Sequence, residues 1–238
     1  KQKIIFLDKL FNFKIESEIP VGRGLGSSAA LSVASVAAFL DFYTGREFKK
    51  EIINNLAYEI EKYFHQNPSG VDNTAACFGG LILYQKNISL KNTDYRIPKI
   101  IGEKLVLIDG GKPEETTGEM VDYVRTKVNE KILSEIENTV NKLVISIKNN
   151  DESLFKKCLI NNEKILEELG VVSKKAKKFI AELSKFGLGK VTGAGGRKNN
   201  SGFILFLADD KEKLKEFLKI KKINCYQFIP DYQGLQKI

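Results

Sequence analysis

The chain has 238 residues, 42% of them apolar and 29% charged, the balance of a folded globular protein with its own core. That excludes a disordered tail, and no stretch reaches about 18 uninterrupted apolar residues, so no membrane span is expected. Thirty-eight Lys and Arg against 30 Asp and Glu give a net charge of +8. The lysines are spread along polar helix faces, which favours a solvated surface over a nucleic-acid stripe.

Three cysteines (Cys77, Cys158, Cys225) without a CxxC pair, and a single histidine, His65, exclude a disulfide scaffold and a multi-histidine metal centre. A reducing, cytoplasmic setting is the expectation. Lys1-Gln2-Lys3-Ile4 has no signal-peptide pattern.

In chain order, residues 4–7 read as a short apolar segment. Phe11, Phe13, Ile15 and Ile19 then alternate with polar residues, which predicts a half-buried strand. A glycine-rich stretch follows at 20–28. A helix is predicted at 29–42, closed by Thr44-Gly45, and a second at 49–64 with Ile53, Leu56, Ala57 and Ile60 on one stripe. A turn at 67–70 and a strand at 81–84 come next. The polar stretch at 86–104 is the predicted seam, dividing the chain into domains at 1–103 and 104–238. Beyond it lie a strand at 105–109, helices at 114–130, 132–149, 151–168 and 173–186, and a strand with a glycine turn at 187–196. A strand at 203–207, a helix at 211–218 and a strand at 223–228 complete the series. Without a regular βαβ alternation, the fold class is α+β with antiparallel sheets.

Pro20-Val21-Gly22-Arg23-Gly24-Leu25-Gly26-Ser27-Ser28-Ala29-Ala30 stands between a predicted strand and a helix. Glycines let backbone N–H groups converge, and the helix adds unpaired N–H groups and a positive dipole end, which together suit a phosphate. Ser27 and Ser28 can cap the helix, bond phosphate oxygens or ligate Mg²⁺. No Lys precedes Ser27, so this is not a Walker A loop. A glycine-rich connection with a serine cap is the plain alternative.

Glu61 on the second helix and Asp72 after the turn form the candidate acidic pair. Phosphoryl transfer to an alcohol needs one acid for Mg²⁺ and another near the hydroxyl proton. An N-cap role for Asp72 and a solvated flank for Glu61 remain open from spacing alone, as does the choice between Glu59 and Glu61.

The loop Pro-x-x-x-Gly-Leu-Gly-Ser-Ser-Ala-Ala resembles the second motif of the GHMP kinases. Glu61-x-x-x-His65-x-x-Pro68-Ser69-Gly70-Val71-Asp72-Asn73, followed by Phe78-Gly79-Gly80, is similar to the mevalonate kinase branch, with Gln66 as a departure. Lys190-Val191-Thr192-Gly193-Ala194-Gly195-Gly196 resembles the third motif, continuing as Arg197-Lys198-Asn199-Asn200 where that motif has further glycines. The stretch from Asp109 through Thr116 and Thr117 looks like the opening of the family's C-terminal domain.

The resemblance spans residues 11–228. It implies a two-domain GHMP architecture with a ferredoxin-like C-terminal domain, and ATP-dependent phosphorylation of mevalonate. It assigns the nucleotide to Gly22, Gly24, Leu25, Gly26, Ser27, Ser28, Gly193, Ala194 and Gly195. Mg²⁺ goes to Ser28 and Glu61, proton acceptance to Asp72, and substrate contact to His65, Ser69 and Thr192. The implied partner is a small molecule, with no nucleic acid and no membrane, and a homodimer is left open. Residues 1–19 hold no counterpart of the family's first motif, which carries a Lys and a Gly-Glu-His. The alternatives are a truncated non-catalytic nucleotide-binding chain, or another GHMP small-molecule kinase such as phosphomevalonate kinase, whose phosphorylated substrate the positive charge would suit.

Overall fold

The computed structural model describes residues 10–65, 68–83 and 91–237. The predicted apolar segment at 4–7 lies outside them. The chain divides into two compact units, one of Lys1–Val21, Gly26–Asp94 and Asp231–Ile238, the other of Gly22–Leu25 and Tyr95–Pro230.

The described residues of the first unit form α1 (Ser27–Thr44), α2 (Lys50–His65) and α3 (Val71–Phe78), with an antiparallel ladder of β1 (Leu81–Leu83) and β2 (Lys91–Thr93). Small residues let α1 approach its neighbours closely. Val33, Val36 and Leu40 meet Ile53 and Ala57 of α2 and Cys77 of α3 in one buried cluster. Gly45 ends α1 in the left-handed conformation and returns its N–H to the Asp41 carbonyl, the usual glycine stop. By length and apolarity α1 passes the test for a membrane-crossing helix. Its buried face, 28% of the helix, packs on α2 and α3, and Ser32 on that face bonds a carboxylate.

The predicted strand at 11–19 is instead irregular chain. Alternation marks a surface that suits a sheet but does not supply the neighbouring strand, and none pairs with it among the described residues. Its rings rest on α1: Phe13 stacks on Phe39 with centroids 4.8 Å apart, and Phe11 meets the same ring edge-on at 5.5 Å.

The second unit holds α4 (Lys99–Gly102), β3 (Leu105–Asp109), α5 (Thr117–Arg125), α6 (Glu130–Lys148), α7 (Glu152–Glu168), α8 (Lys174–Leu183), β4 (Gly187–Val191), β5 (Phe203–Ala208), α9 (Lys211–Ile220) and β6 (Cys225–Gln227). Its sheet runs β4-β5-β3-β6, all antiparallel, with α8 and α9 as the crossing helices. That is the ferredoxin-like βαββαβ order, with α5–α7 inserted after the first strand. Val106, Ile108, Ile204 and Phe206 pack under α8 and α9 against Leu183, Leu214 and Leu218. Leu105 and Leu207 pack on the other face against Phe155 and Leu159 of α7. Asn129, Asp151, Ser173 and Asp210 each cap the helix that follows them.

The units depart from a division at 103 and 104 in three places. α4 joins the second unit because Ile101 is fully buried with Leu105 and Leu207. Residues 22–25 also join it, since Phe203 N–H donates to the Arg23 carbonyl at 3.1 Å. The tail returns to the first unit, where Gly80 N–H donates to Asp231 at 2.7 Å and Leu235 N–H to Cys77 at 3.1 Å.

Candidate active site

In the first unit, Gly26 takes the left-handed conformation (φ 67°) and α1 begins at Ser27 with no side-chain cap on its first turn. No acidic residue sits in that turn either, so the positive end of the helix is left for a ligand. Three of the expected residues converge there. Glu61 is 3% exposed, and it reaches under α1 from α2. Ser32 Oγ donates to Glu61 Oε1 at 2.9 Å, and Ser28 Oγ to Oε2 at 3.3 Å. Glu59 faces outward and pairs with Lys62. The solvated-flank reading of Glu61 is thus replaced by a buried acid aimed at the loop.

Asp72 lies in the first turn of α3, whose N-cap is Gly70, so Asp72 is not the cap. Its carboxylate lies beside the loop: a Cβ placed on Gly26 would stand 3.7 Å from Asp72 Cγ and 4.0 Å from Oδ2. Two carboxylates and a hydroxyl therefore border one helix N-terminus. Ser69 is exposed, and its Oγ accepts from Val71 N–H at 3.2 Å. His65 closes α2, and its side chain lies outside the described part of the chain. No cluster of three or more His, Cys, Asp or Glu suited to a metal occurs among the described residues. The oxygen donors of Ser28 and Glu61 nevertheless suit a hard cation whose remaining ligands come from phosphate and water.

The sequence reading missed what holds Asp72 in place. Asn73 is 2% exposed, and its Nδ2 donates to Asn54 Oδ1 at 2.6 Å, while Asn54 donates to Thr74 Oγ1 at 3.2 Å. This polar lock ties α3 to α2 directly beside the acid. The Pro-Ser-Gly-Val-Asp-Asn string ends in Asn73, which was the available signal.

In the second unit, the other half of the loop lies against the third glycine turn. Gly24 and Gly193 both have positive φ, 79° and 63°. A Cβ on Gly193 would fall 2.5 Å from Gly24 Cα, so only glycine permits the approach. Thr192 Oγ1 lies 3.2 Å from the Gly24 carbonyl and 3.1 Å from that of Phe203. Its one proton is engaged by backbone, which leaves only lone pairs for a substrate. Arg23 forms an ion pair with Asp109, whose other oxygen accepts from Gly111 N–H at 3.0 Å. Lys112 runs beside Gly22, its Nζ 3.7 Å from where a Cβ would be.

The departure at 197–200 is tied down rather than loose. Arg197 and Lys198 N–H groups donate to Glu115, the Arg197 guanidinium lies 3.6 Å from the Tyr123 ring centroid, and Asn200 bonds the Lys112 carbonyl. Thr116 is occupied as the cap of α5, in a reciprocal box with Glu119.

A family model described as the GHMP kinases N terminal domain matches residues 2–80. A mevalonate kinase of Methanocaldococcus jannaschii is 31% identical over 230 residues, covering 90% of this chain and 69% of the relative. The chain belongs to the GHMP kinase family. A mevalonate kinase of Thermococcus sibiricus is 32% identical over 83% of this chain, which spans 60% of that relative's length. Among solved structures, Methanococcus jannaschii mevalonate kinase superposes with a TM-score of 0.71 at 25% identity, over 90% of this chain and 67% of that one. A Streptococcus pneumoniae phosphomevalonate kinase, solved with phosphomevalonate and AMPPNP, shares the fold with a TM-score of 0.70 at 18% identity, over 86% of this chain and 69% of that one.

Proposed function

We propose that this GHMP kinase chain carries the phosphate loop and the acidic pair of an ATP-dependent kinase whose acceptor is the primary hydroxyl of mevalonate. One observation carries the reading: Asp72 borders Gly26 at an uncapped helix N-terminus, beside the pairing of Ser28 with Glu61. The likeness to mevalonate kinases over most of the chain supports the choice of acceptor.

In this mechanism, amides of the loop and of the first turn of α1 bind the ATP phosphates. Ser28 and Glu61 hold Mg²⁺, which when bound neutralises phosphate charge. Lys112 adds a cation beside Gly22. Asp72 accepts the hydroxyl proton as the alcohol oxygen attacks the γ-phosphorus and ADP leaves. Arg23 anchors the loop through Asp109.

Calorimetry with Mg·ATP on the wild type and Gly26→Val tests the loop, and equal affinity in both would remove it from the site. An ADP-release assay of the full-length protein over mevalonate, phosphomevalonate, galactose and homoserine tests the acceptor. Preference for phosphomevalonate would move the assignment to that alcohol. Nucleotide binding without turnover on any of the four would leave a binding chain.

A further inference from the structure

We propose that Glu163 is a positioning residue for the glycine turn at 193–195 and, through Thr192, for Gly24 of the phosphate loop. The proposal rests on the nucleotide reading above for its functional meaning, but its geometry stands alone.

β4 is an outer strand, paired with β5 along one edge. Thr192 N–H points to the Phe203 carbonyl at 2.9 Å, so the alternation of an antiparallel ladder turns the preceding N–H, that of Val191, outward. Val191 is 1% exposed, so water does not reach that donor. An unmet buried N–H is costly. Glu163, on α7 and 6% exposed, meets it: Oε2 accepts from Val191 N–H at 2.9 Å. Glu163 Oε1 has no hydrogen-bond partner among the described residues.

A buried carboxyl with an idle oxygen adds little to packing. What it supplies is a fixed acceptor one residue before Thr192, whose hydroxyl holds Gly24 and whose neighbour Gly193 lies against it. The order of contact is α7 to β4, β4 to the turn, and the turn to the loop. Nothing in the polar run Asn161-Asn162-Glu163-Lys164 marks this residue; the side of α7 that faces β4 does.

The charged groups facing Glu163 are Lys190 on β4, Lys177 on α8 and Glu167 on its own helix. Lys177 is already paired with Glu167 at 3.1 Å. Burial pushes the Glu163 carboxyl up, and Glu167 adds to this. The Val191 N–H, Lys190 and Lys177 oppose it. Burial also pushes the Lys190 ammonium down. Ionisation of Glu163 therefore costs burial energy, while the Val191 N–H bond itself favours the charged form.

Amide hydrogen exchange on the full-length protein tests this, with Mg·ATP calorimetry in parallel. Glu163→Leu should lower the protection of amides at 191–194 and 24–25 by about tenfold, with α6 unchanged, and weaken Mg·ATP by a similar factor. Glu163→Gln, which keeps an acceptor, should retain both. A folded Glu163→Leu with wild-type protection at those amides overturns the proposal. If Glu163→Leu fails to fold, Glu163→Met, of similar length and without a strong acceptor, takes its place and is read by the same two outcomes. A wild type that binds no Mg·ATP removes the nucleotide reading, while the exchange result still judges the anchor.

Discussion

The hydroxyl of Thr192 meets the carbonyl of Gly24 at 3.2 Å, across 168 residues of sequence. A Cβ on Gly24 would in turn stand 2.9 Å from the Thr192 carbonyl oxygen, a backbone atom that has no flexible retreat. Residues 22–25 of the first glycine motif thus pack directly on the last one. Gly24→Ala must also hold φ at 79°, which L-residues avoid at a cost of about 1–2 kcal/mol. Nucleotide affinity should fall at least tenfold and the melting temperature should drop. Calorimetry and a thermal melt check it, and an unchanged affinity would separate the two motifs.

Lys112 offers a second test of the same end of the loop. Its ammonium runs alongside Gly22, outside any helix or strand. Lys112→Met keeps the stem and removes the charge. Mg·ATP affinity should weaken about three- to tenfold, and its salt dependence should flatten, because one cation beside the loop is gone. An affinity that is unchanged at low salt would leave Lys112 a solvated side chain.

The buried carboxyl of Glu163 predicts a pH effect on stability. Its folded pKa lies above the ordinary carboxylate value of 4.5, because burial disfavours the charge. Below 4.5 folded and unfolded chains both keep the proton, so wild type is at its best there relative to Glu163→Gln. As pH climbs from 4.5 through the folded value, the wild type loses stability that the Gln variant keeps. Melts of the two proteins should coincide near pH 4 and diverge by a few degrees by pH 8, with Gln the higher. Divergence in the opposite sense would mean the carboxylate is stabilised as an ion.

Asn73 tests whether the acid beside it depends on the α2–α3 lock. Asn73→Ala removes a buried amide and leaves Asn54 Oδ1 without its donor. The expected loss is about 2 kcal/mol by urea unfolding. Turnover should fall with it, since the first turn of α3 carries Asp72. A loss of stability with full turnover would show that Asp72 is held by other contacts.

Much of this was legible from local pattern. The apolar stripe of α2, the glycine stop of α1 and the strand at 105–109 are set by neighbours a few residues apart. So is the Gly-Ser-Ser start of α1, where the candidate site sits. The misread strand at 11–19 shows the limit: alternation describes a face, whereas a strand also needs an edge to pair with. Arg23 with Asp109, Asn54 with Asn73 and Glu163 with Val191 were invisible for a related reason. Each joins residues far apart in the chain, and Val191 takes part through its backbone N–H, which every residue but proline carries. The return of the tail at 231–238 is of the same kind, since its bonds to Gly80 and Cys77 carry no local signal.

The two carboxylates should separate by role. Glu61 is buried and bonded to Ser28 and Ser32, whereas Asp72 is exposed beside Gly26. Glu61→Gln therefore touches both structure and metal. It exchanges an acceptor for a donor against two serine hydroxyls, at a cost of about 1–2 kcal/mol. It should also raise the Mg²⁺ concentration needed for half-maximal rate, with partial rescue by Mn²⁺. Asp72→Asn keeps size and exposure and removes one acid from the first turn of α3, so the melting temperature should drop only slightly. Turnover in the full-length enzyme should fall by about 10²-fold or more as the proton acceptor is lost, while ATP affinity barely changes. Steady-state rates at varied Mg²⁺, read beside thermal melts, distinguish the two. Near-normal turnover in a folded Asp72→Asn variant would remove Asp72 as the base, and the proposed mechanism would fail with it.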